Sequence, residues 1–176
     1  MKKILLGIFM LLCIVSCGSG PDATVSKFIN SVKAEKMKEA AKYAIDDSFE
    51  GNLDIKYNTK IQELLFKTLL KNLEYKIVKS EKQDNETTIV TVEVTNVDVE
   101  KIFLQVFKKM TQETFTSNGT HSLSVEDRFK EELEAKEKPK SKNVTKFVVK
   151  KTANGEKIVL TAENIDVLLG KLNTTL

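Results

Sequence analysis

The chain has 176 residues, with 28 basic and 25 acidic side chains and a formal charge of +3. Arg128 is the one arginine and no segment forms a basic stripe, which argues against a nucleic-acid partner. Both cysteines, Cys13 and Cys17, fall near the N-terminus, so the rest of the chain has no disulfide, thiolate metal site or cysteine nucleophile. A single histidine, His121, cannot build a transition-metal cluster.

In chain order, Met1-Lys2-Lys3 is followed by an apolar run from Ile4 to Val15 and then by the small Ser16. This is the layout of a secretory signal peptide covering residues 1–16. A membrane-spanning helix needs roughly 20 apolar residues, and this run is shorter. Residues 17–21 form a tether, Cys17-Gly18-Ser19-Gly20-Pro21, that reaches only about 3.5 Å per extended residue. Residues 22–176 are then long enough for one domain with its own core.

Asp22 is a candidate cap for a first helix, whose face is Val25, Phe28, Ile29 and Val32. A second helical pattern runs through Met37, Ala40, Ala41, Ala44 and Ile45. After a polar loop, Asn58 or Thr59 caps a third helix with the stripe Ile61, Leu64, Leu65, Leu69 and Leu73. The period then becomes two. Tyr75 to Val78 reads as a strand, Gln83 to Glu86 as a turn, and Thr87 to Val97 as a second strand. Val90, Val92 and Val94 share its buried face; Thr91, Glu93 and Thr95 share the wetter one.

Residues 98–138 read as a helical insertion. Asp98 caps a helix with Ile102, Phe103, Val106, Phe107 and Met110 on its apolar face, extending towards Phe115. At this spacing the aromatic residues read as core rather than as pocket lining. Ser124 caps a second, highly charged helix running towards Pro139, with one thin stripe of Val125, Phe129 and Leu133. Glu126–Lys130, Glu132–Lys136 and Glu134–Lys138 are expected i,i+4 pairs. Such a helix can stand in water as a docking face. Asn143 to Lys151 reads as a strand, Asn154-Gly155 as a hairpin turn, Lys157 to Thr161 as its partner, and Ile165 to Leu172 as a closing helix. The expected fold is therefore α+β: N-terminal helices packed on a curved antiparallel sheet of about four strands, with a helical insertion between strand pairs.

The chemistry-bearing residues are few. His121 sits in a polar loop beside Gly119 with no acid placed by local spacing, so a serine–histidine–aspartate site is not supported. Asp46, Ser48, Glu50 and Gly51 fit the first half of a calcium loop, but the position that needs a bidentate glutamate is Tyr57. Glu93 falls on the wetter strand face. Asn85, Asn118, Asn143 and Asn173 match the Asn-x-Ser/Thr pattern, which marks glycosylation candidates in a eukaryotic secreted protein. No catalytic set, metal site or cofactor site is expected.

Ile14-Val15-Ser16-Cys17 resembles the lipobox of bacterial lipoproteins. The resemblance implies cleavage between Ser16 and Cys17 and a diacylglyceryl group on the Cys17 sulfur, with two or more acyl chains giving stable anchoring. It places the protein at the cell membrane, lipid-anchored on the extracytoplasmic face. In a bacterial lipoprotein the four Asn-x-Ser/Thr matches read as chance. Along Pro21 to Ala44, Thr87 to Asp98 and Lys151 to Leu160, the chain resembles small bacterial lipoproteins of the nuclear-transport-factor-two-like, or cystatin-like, superfamily. That resemblance implies helices on the concave face of an antiparallel sheet with room for a pocket. Its members include enzymes, binding modules and dimerisation modules, so the fold assigns no activity. The expected function is a membrane-anchored, non-enzymatic binding or interaction module. A small enzyme with a carboxylate base and an oligomeric envelope-structural protein are the alternatives. The expected partners are the bilayer through Cys17, a small apolar ligand or an envelope protein, and a second copy of the chain.

Overall fold

The computed structural model describes residues 19–45, 57–116 and 123–172. Ser16 and Cys17, the Asp46–Gly51 stretch, Asn118-Gly119, His121 and Asn173 lie outside the described residues.

The element order is α1 (Pro21–Lys33), α2 (Met37–Ala41), α3 (Lys60–Asn72), β1 (Glu74–Lys82), β2 (Thr87–Val97), α4 (Val99–Thr116), α5 (Val125–Glu134), β3 (Lys140–Thr152), β4 (Gly155–Val159) and α6 (Ala162–Leu168). The strands form one antiparallel sheet in the order β1-β2-β3-β4, and α4 and α5 are inserted between β2 and β3. The fold is α+β, with helices packed against a four-stranded antiparallel sheet, as the alternation of valines in β2 leads one to expect.

Two apolar clusters hold it together. In the first, Val25, Phe28 and Ile29 of α1 meet Val90, Val92 and Val94 of β2, Phe147 of β3 and Leu168 of α6. Phe28 and Phe147 pack edge to face, with centroids 6.3 Å apart. Each such fully buried side chain contributes roughly 1.5–3 kcal/mol. In the second, Leu69 of α3 and Val97 of β2 meet Val99, Ile102 and Val106 of α4 and Phe129 and Leu133 of α5.

Several local expectations change. Asp22 does not cap α1. The cap position is Gly20, and Pro21 occupies the first turn, where its fixed φ and missing N–H fit. The Asp22 carboxylate instead accepts a hydrogen bond from the Ser80 hydroxyl of β1. The second helical pattern stops at Ala41 because its continuation is drawn to the edge of the sheet. Ile158 N donates to Tyr43 O at 2.7 Å, and Ile45 N donates to Ile158 O at 2.9 Å, forming a parallel bridge centred on Ala44. This pairing shields part of the open β4 edge.

Helix α5 ends at Glu134, short of Pro139. Strand β3 starts at Lys140, which pairs with Val97, and residues 135–138, expected in the helix, lie in the connection between the two. With Lys136 and Lys138 beyond the helix, Glu132 reaches Lys109 of α4 at 2.5 Å instead, and Lys138 Nζ donates to Ala135 O. The caps at Thr59, Asp98 and Ser124 match expectation: each side chain accepts a backbone N–H, from Gln62, Lys101 and Asp127 respectively.

Candidate functional site

Insertion helix α4 carries more apolar surface than its neighbours cover. At 3.6 residues per turn, its apolar side chains occupy an arc of roughly 220°. Val99, Ile102 and Val106 are buried, and Phe103 and Met110 are half-buried. The rest of the arc faces solvent: Leu104 is 59 % exposed, Phe107 71 % and Phe115 84 %. The expectation that Phe107 and Phe115 belong to the core is therefore corrected. Contacts with α5 and α3 cover one flank of α4, and no described element covers the other. Lys101 and Lys108, three before and four after Leu104, border this stripe, since residues at those spacings are neighbours on a helix surface.

Beside it, α3, α4 and α5 enclose a groove of about 420 Å³ lined by Ile61, Leu65, Phe103, Val125 and Phe129, with Glu126 at its rim. Phe103 stacks obliquely on Phe129 at its floor. Val125, expected in the docked stripe of α5, is 56 % exposed here. Ion pairs fasten α5 to α4: Arg128 is held between Glu113 and Glu131, and Glu132 pairs with Lys109. The hydrogen bond that Arg128 donates to Glu113 raises the guanidinium pKa further. The buried acids Glu132 and Asp166 do not line the groove; Glu126, its acid, is exposed.

A second concavity lies at the root of α1. It has a volume of about 550 Å³ and is bordered by Gly20, Thr24, Lys27, Lys42, Tyr43 and Lys157. Lys42 pairs with Glu39 at 2.6 Å, and this hydrogen bond holds the Glu39 carboxyl below its ordinary pKa. Burial, reinforced by Glu39, pushes the Tyr43 hydroxyl up. Lys157 Nζ donates to the Lys42 carbonyl, and Glu156 accepts weakly from Thr24 Oγ1 at 3.5 Å. Among the described residues, Lys27 and Lys157 have no carboxylate within ion-pair distance.

The two concavities sit towards opposite ends of the sheet. Asp22 and Thr24 fix the start of α1 to Ser80 and to Glu156 of the β3–β4 hairpin. Ser80 is in register with Val90, whereas α4 begins two residues beyond Val97. Seven residues of strand separate Val90 from Val97, roughly 23 Å at about 3.3 Å per residue.

Glu93 lies half-buried on the outer sheet face and pairs with Lys142 at 3.3 Å, and Asn143 lies near the start of β3 opposite Val94. Among the described residues no group of three or more His, Cys, Asp or Glu side chains could hold a metal, and no helix is long and apolar enough to cross a membrane. The lysine-lined crevice escapes sequence reading because its side chains come from α1, the α2 exit and β4. The excess apolar arc of α4 is legible in the sequence; its lack of cover is not. Comparison of the chain with protein-family models, curated proteins and solved structures yields no match.

Proposed function

We propose that this is a lipid-anchored extracytoplasmic interaction module. In this reading Cys17 holds the domain on the bilayer and the uncovered face of α4 receives an envelope protein. The carrying observation is the Leu104–Phe107–Phe115 stripe, which continues into the Phe103–Phe129 groove. Exposed apolar side chains gathered on one helix face support an interaction site. Lys101 at its border is already paired with Asp98 at 2.8 Å, and the exposed Glu100 lies four residues before Leu104, so the apolar side chains rather than a net charge would select the partner. The stripe lies at the end of the sheet away from the start of α1, and so away from the tether. Within this reading the fold is a variant of the nuclear-transport-factor-two-like type, with α4 and α5 as the added binding wing.

A photo-crosslinking side chain at position 107, compared with one at Lys76 on β1, tests this in intact envelopes. A discrete protein adduct from position 107, absent from position 76 and lost in a Leu104→Ser/Phe115→Ser chain, is expected. Equal labelling from both positions contradicts it. An adduct of twice the chain's own mass would identify a second copy as the occupant and overturn the envelope-protein partner.

A further inference from the structure

The crevice at the root of α1 lies within three residues of Cys17, and chain continuity limits what can reach it. The segment from Cys17 to Gly20 spans at most about 10 Å when extended. A bilayer holding the Cys17 acyl chains would therefore have its headgroups next to Gly20, Thr24 and Lys27. Lysines from three separate elements converge there: Lys27 from α1, Lys42 from the exit of α2 and Lys157 from β4. The opposing acids are Glu156, on the crevice wall, and Glu39, already engaged by Lys42. Lys27 and Lys157 remain without a carboxylate partner among the described residues. Thr24 and Tyr43 also line the crevice; the Thr24 hydroxyl donates to Gly20 O at 3.1 Å and the Tyr43 hydroxyl donates to Glu39.

We infer that this crevice binds the phosphate of an anionic phospholipid headgroup from the bilayer that holds Cys17, fixing the domain's orientation on the membrane. The inference rests on the lipid-anchor reading and deepens it by adding a second, electrostatic contact. Ammonium groups beside an acyl anchor are attracted to anionic lipid and screened by salt. With the tether end seated on headgroups, the α4 face at the far end of the sheet stays clear of the bilayer.

The test uses the full lipidated chain on vesicles of phosphatidylcholine alone or with one third phosphatidylglycerol, read by amide hydrogen exchange. Exchange at 20–27 and 153–157 should slow severalfold on the anionic vesicles only. The protection should be lost in 1 M salt, lost in Lys27→Gln/Lys157→Gln, and retained in Lys27→Arg. Equal exchange on both vesicle types overturns the inference. So does equal protection by soluble glycerol phosphate on neutral vesicles with nothing added by the anionic lipid, which would assign the site to a free phosphate ester. The two claims fail differently: a chain that does not float with neutral vesicles overturns the anchor and this inference with it, whereas one that floats but shows no lipid-dependent protection overturns this inference alone.

Discussion

Phe103 and Phe129 meet with ring centroids 4.7 Å apart and planes inclined at 52°. This contact joins α4 to α5 and forms the floor of the groove. It also divides α4 into a side that the fold uses and a side that it leaves open. Phe129 is buried, so Phe129→Ala should cost about 3–5 kcal/mol. Phe107, one turn along from Phe103 but 71 % exposed, should give a change within about 0.5 kcal/mol as Phe107→Ser. Denaturant unfolding of both variants checks the contrast. Similar losses for the two would show that the outer face of α4 is covered after all.

Gly170 follows α6 with φ +67°, a region that side chains with a Cβ adopt at a cost. A Cβ there would also lie 2.5 Å from the Val97 carbonyl oxygen and 3.3 Å from Leu69 Cδ2. Gly170→Ala should therefore destabilise by about 1–3 kcal/mol and loosen the junction of α3, β2 and α6. An unchanged midpoint of thermal unfolding would contradict this packing.

Acid should weaken the fold through exposed carboxylates whose pKa values are depressed. Asp84 accepts from Glu86 N and Thr87 N at 2.8 and 2.7 Å, and these backbone bonds lower its pKa. Hydrogen bonds from Lys140 and Lys79 lower Glu74 and Glu81. For a depressed carboxylate the stabilisation is complete above the unfolded value, near pH 4, and is lost as the pH falls through the lower folded value. Stability from these groups should be flat above about pH 6 and decline below about pH 4, with a smaller acid slope in Asp84→Asn. A decline beginning on the alkaline side would contradict the assignment. Salt should weaken the lysine pairs more than the turn bonds.

Much of the fold is legible in the sequence because two periods carry it. Alternation through Val90, Val92 and Val94 yields the central strand, and helical spacing through Val25, Phe28, Ile29 and Val32 yields the helix packed on it. The caps Thr59 and Ser124 are legible because their acceptors serve N–H groups only three residues away. What escapes is set by distant partners. The end of α2 depends on Ile158, more than a hundred residues on. The end of α5 depends on Val97 recruiting Lys140. The buried Asn164, which donates to Thr145 Oγ1 at 2.8 Å and Lys146 O at 3.0 Å, gives no local sign of its role beyond capping α6. The open face of α4 is of the same kind: composition supplies the apolar arc, and only the packing of α3 and α5 decides which part stays bare.

The most direct test of the anchored-module account is the intact mass of the N-terminal peptide of the chain extracted from membranes. The account predicts a mature chain that begins at Cys17 and carries a diacylglyceryl thioether, with Cys17→Ala left unprocessed or released. A membrane-held chain with a free Cys17 thiol, or one whose first residue lies elsewhere, would contradict it.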